Sequence, residues 1–354
     1  MKILFISRAY PPIIGGIEKQ NYDLSQGLSR VSEVVVIANT KGKTNLLFFL
    51  PFALLKALFF IPRVDIILLG DGVLGILGYL IKFFTKKPVV CVLHGLDITY
   101  RSRLYQLLWI KIFLKKMDRL IAVGNETIRQ GVKRGIPEAK FTYVPNGVFI
   151  PEQLPLYSRK DLEKLMGRKP PGKILLTIGR LVKRKGISWF IESVMPNISP
   201  DIIYIIAGDG PQREEIVHTI NNNNLQERIF CIGAITDSVK EILYCTADLF
   251  VQPNIRVEGD MEGFGLVVLE AASYGLPVIA SDLEGLQDAI KDGENGILVQ
   301  EKNAILFKNK IELMLQNEEK REQFGIQARE YVTNHFGWGN IAARYIEIFE
   351  GLLI

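Results

Sequence analysis

The feature that most limits what this chain can fold into is an alternation that runs through both halves. Short, near-continuous apolar runs alternate with longer stretches of helical spacing. The runs are KILFIS, EVVVIAN, DIILLGD, PVVCVLHG, RLIAVG and FTYVPNG in the first half, and KILLTIG, IIYIIAGDG, RIFCIG, DLFVQPN, PVIASD and GILV in the second. Strands that are apolar on both sides and joined by helices belong to parallel sheets covered on both faces. The pattern therefore predicts two doubly wound α/β domains, and 354 residues suffice for two cores of ordinary size. The polar, proline-containing stretch PEQLPLYSRKDLEKLMGRKPPG, 151–172, interrupts the alternation and marks the boundary, so the domains are expected at 1–160 and 170–335.

Composition narrows the partners. A net charge of +5, modest and read as spread along the chain, argues against nucleic acid as the main partner, but is compatible with an anionic small molecule or an anionic membrane face. Cys91, Cys231 and Cys245 are isolated and form no CxxC, which fits a reducing compartment and offers no zinc site. MKILFIS reads as a strand rather than a signal peptide, so the expected location is the cytoplasm.

Two segments bear on a membrane. LLFFLPFALLKALFFIP, 46–62, is apolar nearly all round, is interrupted by Pro51 and Lys56, and falls short of the roughly 20 residues of a spanning helix. It is expected to be a buried or interfacial helix. In RSRLYQLLWIKIFLKKMDR, Arg101, Arg103, Lys111, Lys115, Lys116 and Arg119 accompany Leu104, Leu107, Leu108, Trp109, Ile112 and Phe113. That mixture suits an interfacial helix on anionic lipid, peripheral on the inner face of the cytoplasmic membrane. The competing expectation is an ordinary amphipathic helix with its apolar side inward.

In doubly wound sheets, ligands sit beyond the carboxyl ends of the strands. The turns there are RAYPPIIGGIEKQ, HGLD, GRLVKRKG, AGDGP and EGFGLVVLE. In the last of these Glu262 and Glu270, on a single helix, would lie about 12 Å apart and about 80° round the axis, too far for a close carboxylate pair. Gly263 and Gly265 instead predict a loop that hands over to a helix from Leu266 to the stop signal Gly275, with Pro277 beyond. A glycine-lined helix start of this kind can hold a phosphate or diphosphate. The plainer reading is an amphipathic helix with one solvated glutamate. GVLGILG, 72–78, follows the wrong strand for a dinucleotide fingerprint and lacks its G-x-G pair.

Taken in order, PPIIGGIE, HGLD, VPNGV, IGRLVKRKG, AGDGP and EGFGLVVLEAASYGLPVIASDLEGLQD resemble the retaining nucleotide-sugar glycosyltransferases of family 4 over nearly the whole chain. The resemblance implies the GT-B fold, two Rossmann-like domains facing a cleft. The first would bind the acceptor and the second the nucleotide sugar, with FGWGNIAARYIEIFEGLLI, 336–354, as the helix that crosses back to the first domain. It implies that Glu262 lies by the donor sugar hydroxyls and that Glu270 holds the ribose. The helix start at Gly263, Phe264, Gly265 and Leu266 would face the diphosphate.

Arg180 and Lys185 match the family's cationic pair on the diphosphate, where positive charge offsets that building on the leaving group and removes the need for a DxD-type metal motif. Lys183 and Arg184 are expected to be a solvated face. His94 matches a histidine near the donor sugar. Gly16, with Gly15, would let the backbone approach the donor, and Asn146 and Gly208 complete the nucleotide-sugar set. The implied reaction moves a hexose from a nucleoside diphosphate to the hydroxyl of a glycan or lipid-linked acceptor, with retention, in cell-surface glycan or glycolipid synthesis and with neither metal nor cofactor. E-x7-E does not supply the two close carboxylates of a retaining hydrolase. A nucleotide-sugar 2-epimerase of the same fold, a pyridoxal-phosphate sugar phosphorylase and a non-catalytic carbohydrate-binding relative are the alternatives at this level. The base, the hexose and the acceptor stay open.

Overall fold

The computed structural model describes residues 1–13, 15–170 and 172–353. Ile14 of the PPIIGGIE motif, Pro171 of the expected boundary and Ile354 of the expected final helix lie outside the described residues.

Each apolar run is a strand. β1 (Lys2–Ser7), β2 (Glu33–Ala38), β3 (Ile66–Leu69), β4 (Val89–Leu93), β5 (Arg119–Ala122) and β6 (Phe141–Tyr143) make one six-stranded sheet in the order β2-β1-β3-β4-β5-β6. β7 (Ile174–Ile178), β8 (Ile203–Ala207), β9 (Ile229–Gly233), β10 (Leu249–Gln252), β11 (Val278–Ser281) and β12 (Ile297–Val299) make the other, in the order β12-β11-β10-β7-β8-β9. Every pairing is parallel, with β1 and β2 in register from Lys2 opposite Glu33 to Ser7 opposite Ala38. The chain has the GT-B architecture of two parallel α/β sheets.

Strands β3, β4, β7, β8, β10 and β11 are buried along their whole length, as a sheet with helices on both faces requires. Strand order reverses between β1 and β3 in the first sheet and between β7 and β10 in the second. Those are the switch points where such sheets open a crevice for ligands.

Contacts divide the chain into two units. The first holds residues 1–147, 261–264 and 336–354, and the second holds 148–260 and 265–335. Residues 148–170 thus group with the second unit and include a helix, Arg159–Met166, opened by a capping box of Ser158 and Asp161. Arg159, Lys173 and Arg321 all pair with the buried Asp248, tying that helix to β7.

In the first unit, helix Trp338–Leu353 packs on α1 (Gly16–Ser29) and buries Ile341, Ala342, Tyr345 and Phe349. Two glycines make room for Trp338. A Cβ on Gly147 would lie 2.5 Å from the ring and one on Gly27 3.4 Å from it. Gln20 Nε2 donates to Gly147 O at 3.0 Å and Arg344 to Tyr143 O at 3.1 Å, closing the seam. Gly147→Ala should therefore cost about 1–3 kcal/mol by overpacking, read as a lower urea midpoint. Adding Trp338→Leu should recover part of the loss, and no change in the single variant would contradict this packing.

Candidate functional site

In the first unit, the strand ends at the switch point carry a buried ionic cluster. Arg8, just after β1, donates its Nε to Asp71 Oδ1 at 2.9 Å, and the same oxygen accepts the Val73 amide at 2.9 Å. Asp71 follows β3 and is wholly buried, so burial pushes its carboxyl above the ordinary value while the Arg8 guanidinium pulls it back. The sequence reading missed this pair. Its one signal was a carboxylate placed directly after an all-apolar strand, in DIILLGDG.

Asp97 organises the turn after β4. Its oxygens accept the amides of His94 at 3.0 and 3.1 Å, Gly95 at 2.9 Å and Gly72 at 3.0 Å, joining the turns that follow β3 and β4. His94 Nε2 lies 3.0 Å from Gly70 O. A carbonyl only accepts, so Nε2 carries the proton, and in that tautomer of a neutral imidazole Nδ1 would be the acceptor. The turn Met261–Phe264 packs against this one. A Cβ on Gly263 would sit 2.4 Å from His94 O, and one on Gly95 3.0 Å from Met261 Cε. Glu262, the residue before Gly263, is buried, and the Phe264 ring is spent in packing on Phe336, with centroids 6.0 Å apart.

Asn146, buried after β6, lines a small cavity with His94, Gln20, Asn21 and Trp338. At α1, a Cβ on Gly15 would strike Glu18 Oε2 at 2.1 Å, whereas one on Gly16 would meet nothing within 4 Å. The Glu18 carboxylate is the end of a flexible side chain and can turn away, so packing is a weak reason for the first glycine. The second leaves bare backbone open to approach.

In the second unit, glycines press the ends of β7 and β8 together. Gly208 has φ 137°, and a Cβ there would lie 1.9 Å from Gly179 O. Gly208 is thus placed at the strand ends by backbone contact alone. The loop from Gly179 leads into a short 3-10 turn, Lys183–Lys185. Arg180 is exposed and forms no ion pair among the described residues, while Lys185 is buried with its Cε 4.0 Å from the position of a Cβ on Gly179. Lys183 is exposed, but Arg184 is not the solvated cation expected. It is mostly buried and pairs with Asp260 at 2.9 Å, because the loop before Met261 folds over it.

The helix Leu266–Ser273 begins where the glycines predicted. Gly265 is its N-cap in the left-handed region, φ 87°, and Gly275 follows its end with φ 76°. Its first amides have no partner within the helix. Glu270, one turn on, accepts from Tyr244 Oη at 3.1 Å and from Lys240 Nζ at 3.5 Å. Burial works against the Lys240 ammonium, but Glu270 and Asp237 outweigh it and hold its pKa above the usual lysine value. Burial, and then the Glu270 charge, keep the Tyr244 phenol protonated well beyond its normal range. Tyr244 and Lys240 were also missed, since they lie on a helix whose sequence offers no motif. Among the described residues no three His, Cys, Asp or Glu side chains gather as a metal site.

Two family models match the chain, Glycosyltransferase Family 4 over residues 14–150 and Glycosyl transferases group 1 over residues 159–331. The chain is a family 4-like glycosyltransferase. It is 30% identical over 252 residues to an α-1,3-galactosyltransferase of Escherichia coli described as acting from UDP-Gal on α-D-GlcNAc-diphosphoundecaprenol, a match that covers 67% of this chain and 63% of that protein, somewhat under two thirds of its length. An uncharacterized glycosyltransferase of Methanocaldococcus jannaschii is 26% identical over 99% of this chain and 98% of its own. The HepE structure from Anabaena, in complex with UDP-glucose, superposes with a TM-score of 0.78 at 20% identity over 99% of this chain and 100% of that one, a likeness of fold.

In this glycosyltransferase the Asp97 contacts carry a direct consequence. Asp97→Ala leaves the amides of Gly72, His94 and Gly95 without their acceptor and should cost about 2–3 kcal/mol, whereas Asp97→Asn keeps one acceptor oxygen and should cost markedly less. Urea unfolding of the two variants checks this, and equal losses would show that the carboxylate does not organise the turn.

Proposed function

We propose that this glycosyltransferase moves a hexose from a nucleoside diphosphate to a hydroxyl of a glycan or lipid-linked acceptor, with retention at the anomeric carbon and without a metal ion. The observation that carries the proposal is the second unit's switch point, where the exposed Arg180 at the end of β7 has no ion-pair partner among the described residues. An unneutralised guanidinium in that place suits a diphosphate, which it binds through paired, charge-assisted hydrogen bonds that strengthen as the leaving group gains charge. The open amides at Leu266 suit the same anion.

Glu270 is held by Tyr244 and Lys240 on one oxygen, and a carboxylate has further lone pairs with which to accept ribose hydroxyls. In the first unit, His94 Nδ1 and Glu262 are the groups proposed for the sugar hydroxyls. No enzymic nucleophile is invoked. The departing phosphate takes the acceptor's proton on the face it leaves. The printed donor and acceptor of the Escherichia coli relative, and the UDP-glucose held by HepE, make UDP the first nucleotide to try and a polyprenyl-diphosphate glycan the first acceptor class.

The test is calorimetry with UDP, GDP and ADP, followed by turnover with the matching sugar nucleotides. Wild type should release nucleoside diphosphate at a rate unchanged by EDTA, and the product should show the donor's anomeric configuration by NMR. Arg180→Ala and Lys185→Ala should each lower kcat/KM by about a hundredfold or more. Glu270→Ala should mainly weaken nucleotide binding, and Glu262→Ala should lose transfer while still binding the diphosphate. Isomerised sugar without released nucleotide would replace this reading with the epimerase. Near-native turnover in Arg180→Ala would remove the diphosphate from β7.

A further inference from the structure

We infer that one face of the first unit is a docking surface for an anionic lipid bilayer, built from three neighbouring helical segments. The inference does not depend on the reaction proposed above.

Helix α2 (Leu46–Phe60) and the turn that follows form the one described helix long and apolar enough to cross a membrane, Leu46–Arg63, yet only 22% of that window is buried within the protein. What it buries is small. Phe49, Ala53 and Ala57 pack on the sheet beside Leu4, Ile6 and Leu69, while Leu47, Phe48, Leu55 and Phe59 are 81%, 77%, 70% and 61% exposed. At about 100° per residue, Phe48, Phe52, Leu55 and Phe59 fall in a stripe about 60° wide on the side away from Ala53. A helix seated on its own domain along one side cannot be ringed by lipid, so it lies in the interface rather than spanning it.

The stripe has neighbours. α3 (Gly75–Ile81) packs on α2 and also on the helix Gln106–Phe113, and all three share one core layer. Phe83 and Phe84, just after α3, are 68% and 62% exposed, and Leu104 and Leu107 of the third segment are exposed as well. Not every apolar residue expected to face lipid does so. Trp109 stacks on the buried Tyr105 at 5.1 Å and donates its Nε1 to Val73 O at 2.8 Å, so it belongs to the core, and Leu108 and Phe113 are also partly buried.

Charge selects the occupant. Residues 41–63, 79–87 and 100–119 contain thirteen Lys and Arg against one Asp, whereas the rest of the chain has thirty Lys and Arg against thirty-seven Asp and Glu. The net charge of +5 is therefore not spread along the chain, as first read, but is concentrated in these three segments, where Lys82 is paired with Asp118 while Lys56, Lys86 and Lys111 are exposed. Lys56 lies over the Phe52 ring at 5.0 Å and Arg63 over Phe59 at 4.5 Å, so cations sit at the rim of the apolar stripe. A second copy of this chain would set one basic face against another. An acidic lipid surface complements it, each nearby Lys or Arg adding attraction within a Debye length.

Flotation with extruded vesicles tests this. Wild type should bind phosphatidylcholine vesicles containing phosphatidylglycerol, bind pure phosphatidylcholine at least tenfold more weakly, and lose binding as salt rises. Phe52→Gln with Phe59→Gln, and separately Lys56→Glu with Lys86→Glu and Lys111→Glu, should each cut binding at least tenfold. All five sites are exposed, so unchanged circular-dichroism melts should show that the variants fold. Equal binding to both lipids, no binding at low salt, or a wild-type dimer that the Phe52 and Phe59 changes dissolve would each overturn the proposal.

Discussion

Parallel strands with no wet face set the terms for everything else in this protein. When β3, β4, β7, β8, β10 and β11 are covered on both sides, a polar side chain inside a strand is costly unless it finds a partner there, as Thr177 does with Tyr204 at 2.7 Å. Uncompensated polar and charged groups are driven to the strand ends, and the reversal of strand order decides which ends stand apart. Arg8 with Asp71 in one unit, and Arg180 with the glycine-started helix in the other, sit where that reasoning puts them. The chemistry is placed by topology before any particular residue is chosen.

The same constraint makes glycine indispensable at a few points. Strand ends that converge bring backbone against backbone, and at Gly208 and Gly263 a single carbon would fall within 2.4 Å of a neighbouring carbonyl oxygen. These positions read in sequence as possible ligand contacts, and they are at the same time plain packing requirements. Gly16 is different, since no protein atom would oppose a side chain there. A glycine whose absence of side chain the fold does not need is the better pointer to something outside the fold.

All twelve strands were legible because apolar, β-branched runs bounded by glycine and proline have few other uses. The helix after Gly265 was legible for a similar reason, its start and stop both marked by glycine. Residues whose role comes from a distant partner were not. Asp71 depends on Arg8, 63 positions away, Arg184 on Asp260, and Glu270 on a tyrosine and lysine from another helix. The lie of α2 was hidden as well. A segment apolar all round has no periodicity to reveal its inner face, and only the close seating of Phe49, Ala53 and Ala57 on the sheet turned Phe48, Phe52 and Phe59 outward. Summing charge over the chain concealed the basic face, because acidic residues elsewhere cancel it.

The seam between α1 and the helix Trp338–Leu353 joins residues more than three hundred positions apart. During synthesis, α1 and the first sheet leave the ribosome long before Trp338 exists to fill the space left by Gly27 and Gly147. The second unit, contained in 148–260 and 265–335, has every residue it needs before that helix is made. The half of the molecule that begins first is thus the half completed last, and its α1 seam waits uncovered in the meantime.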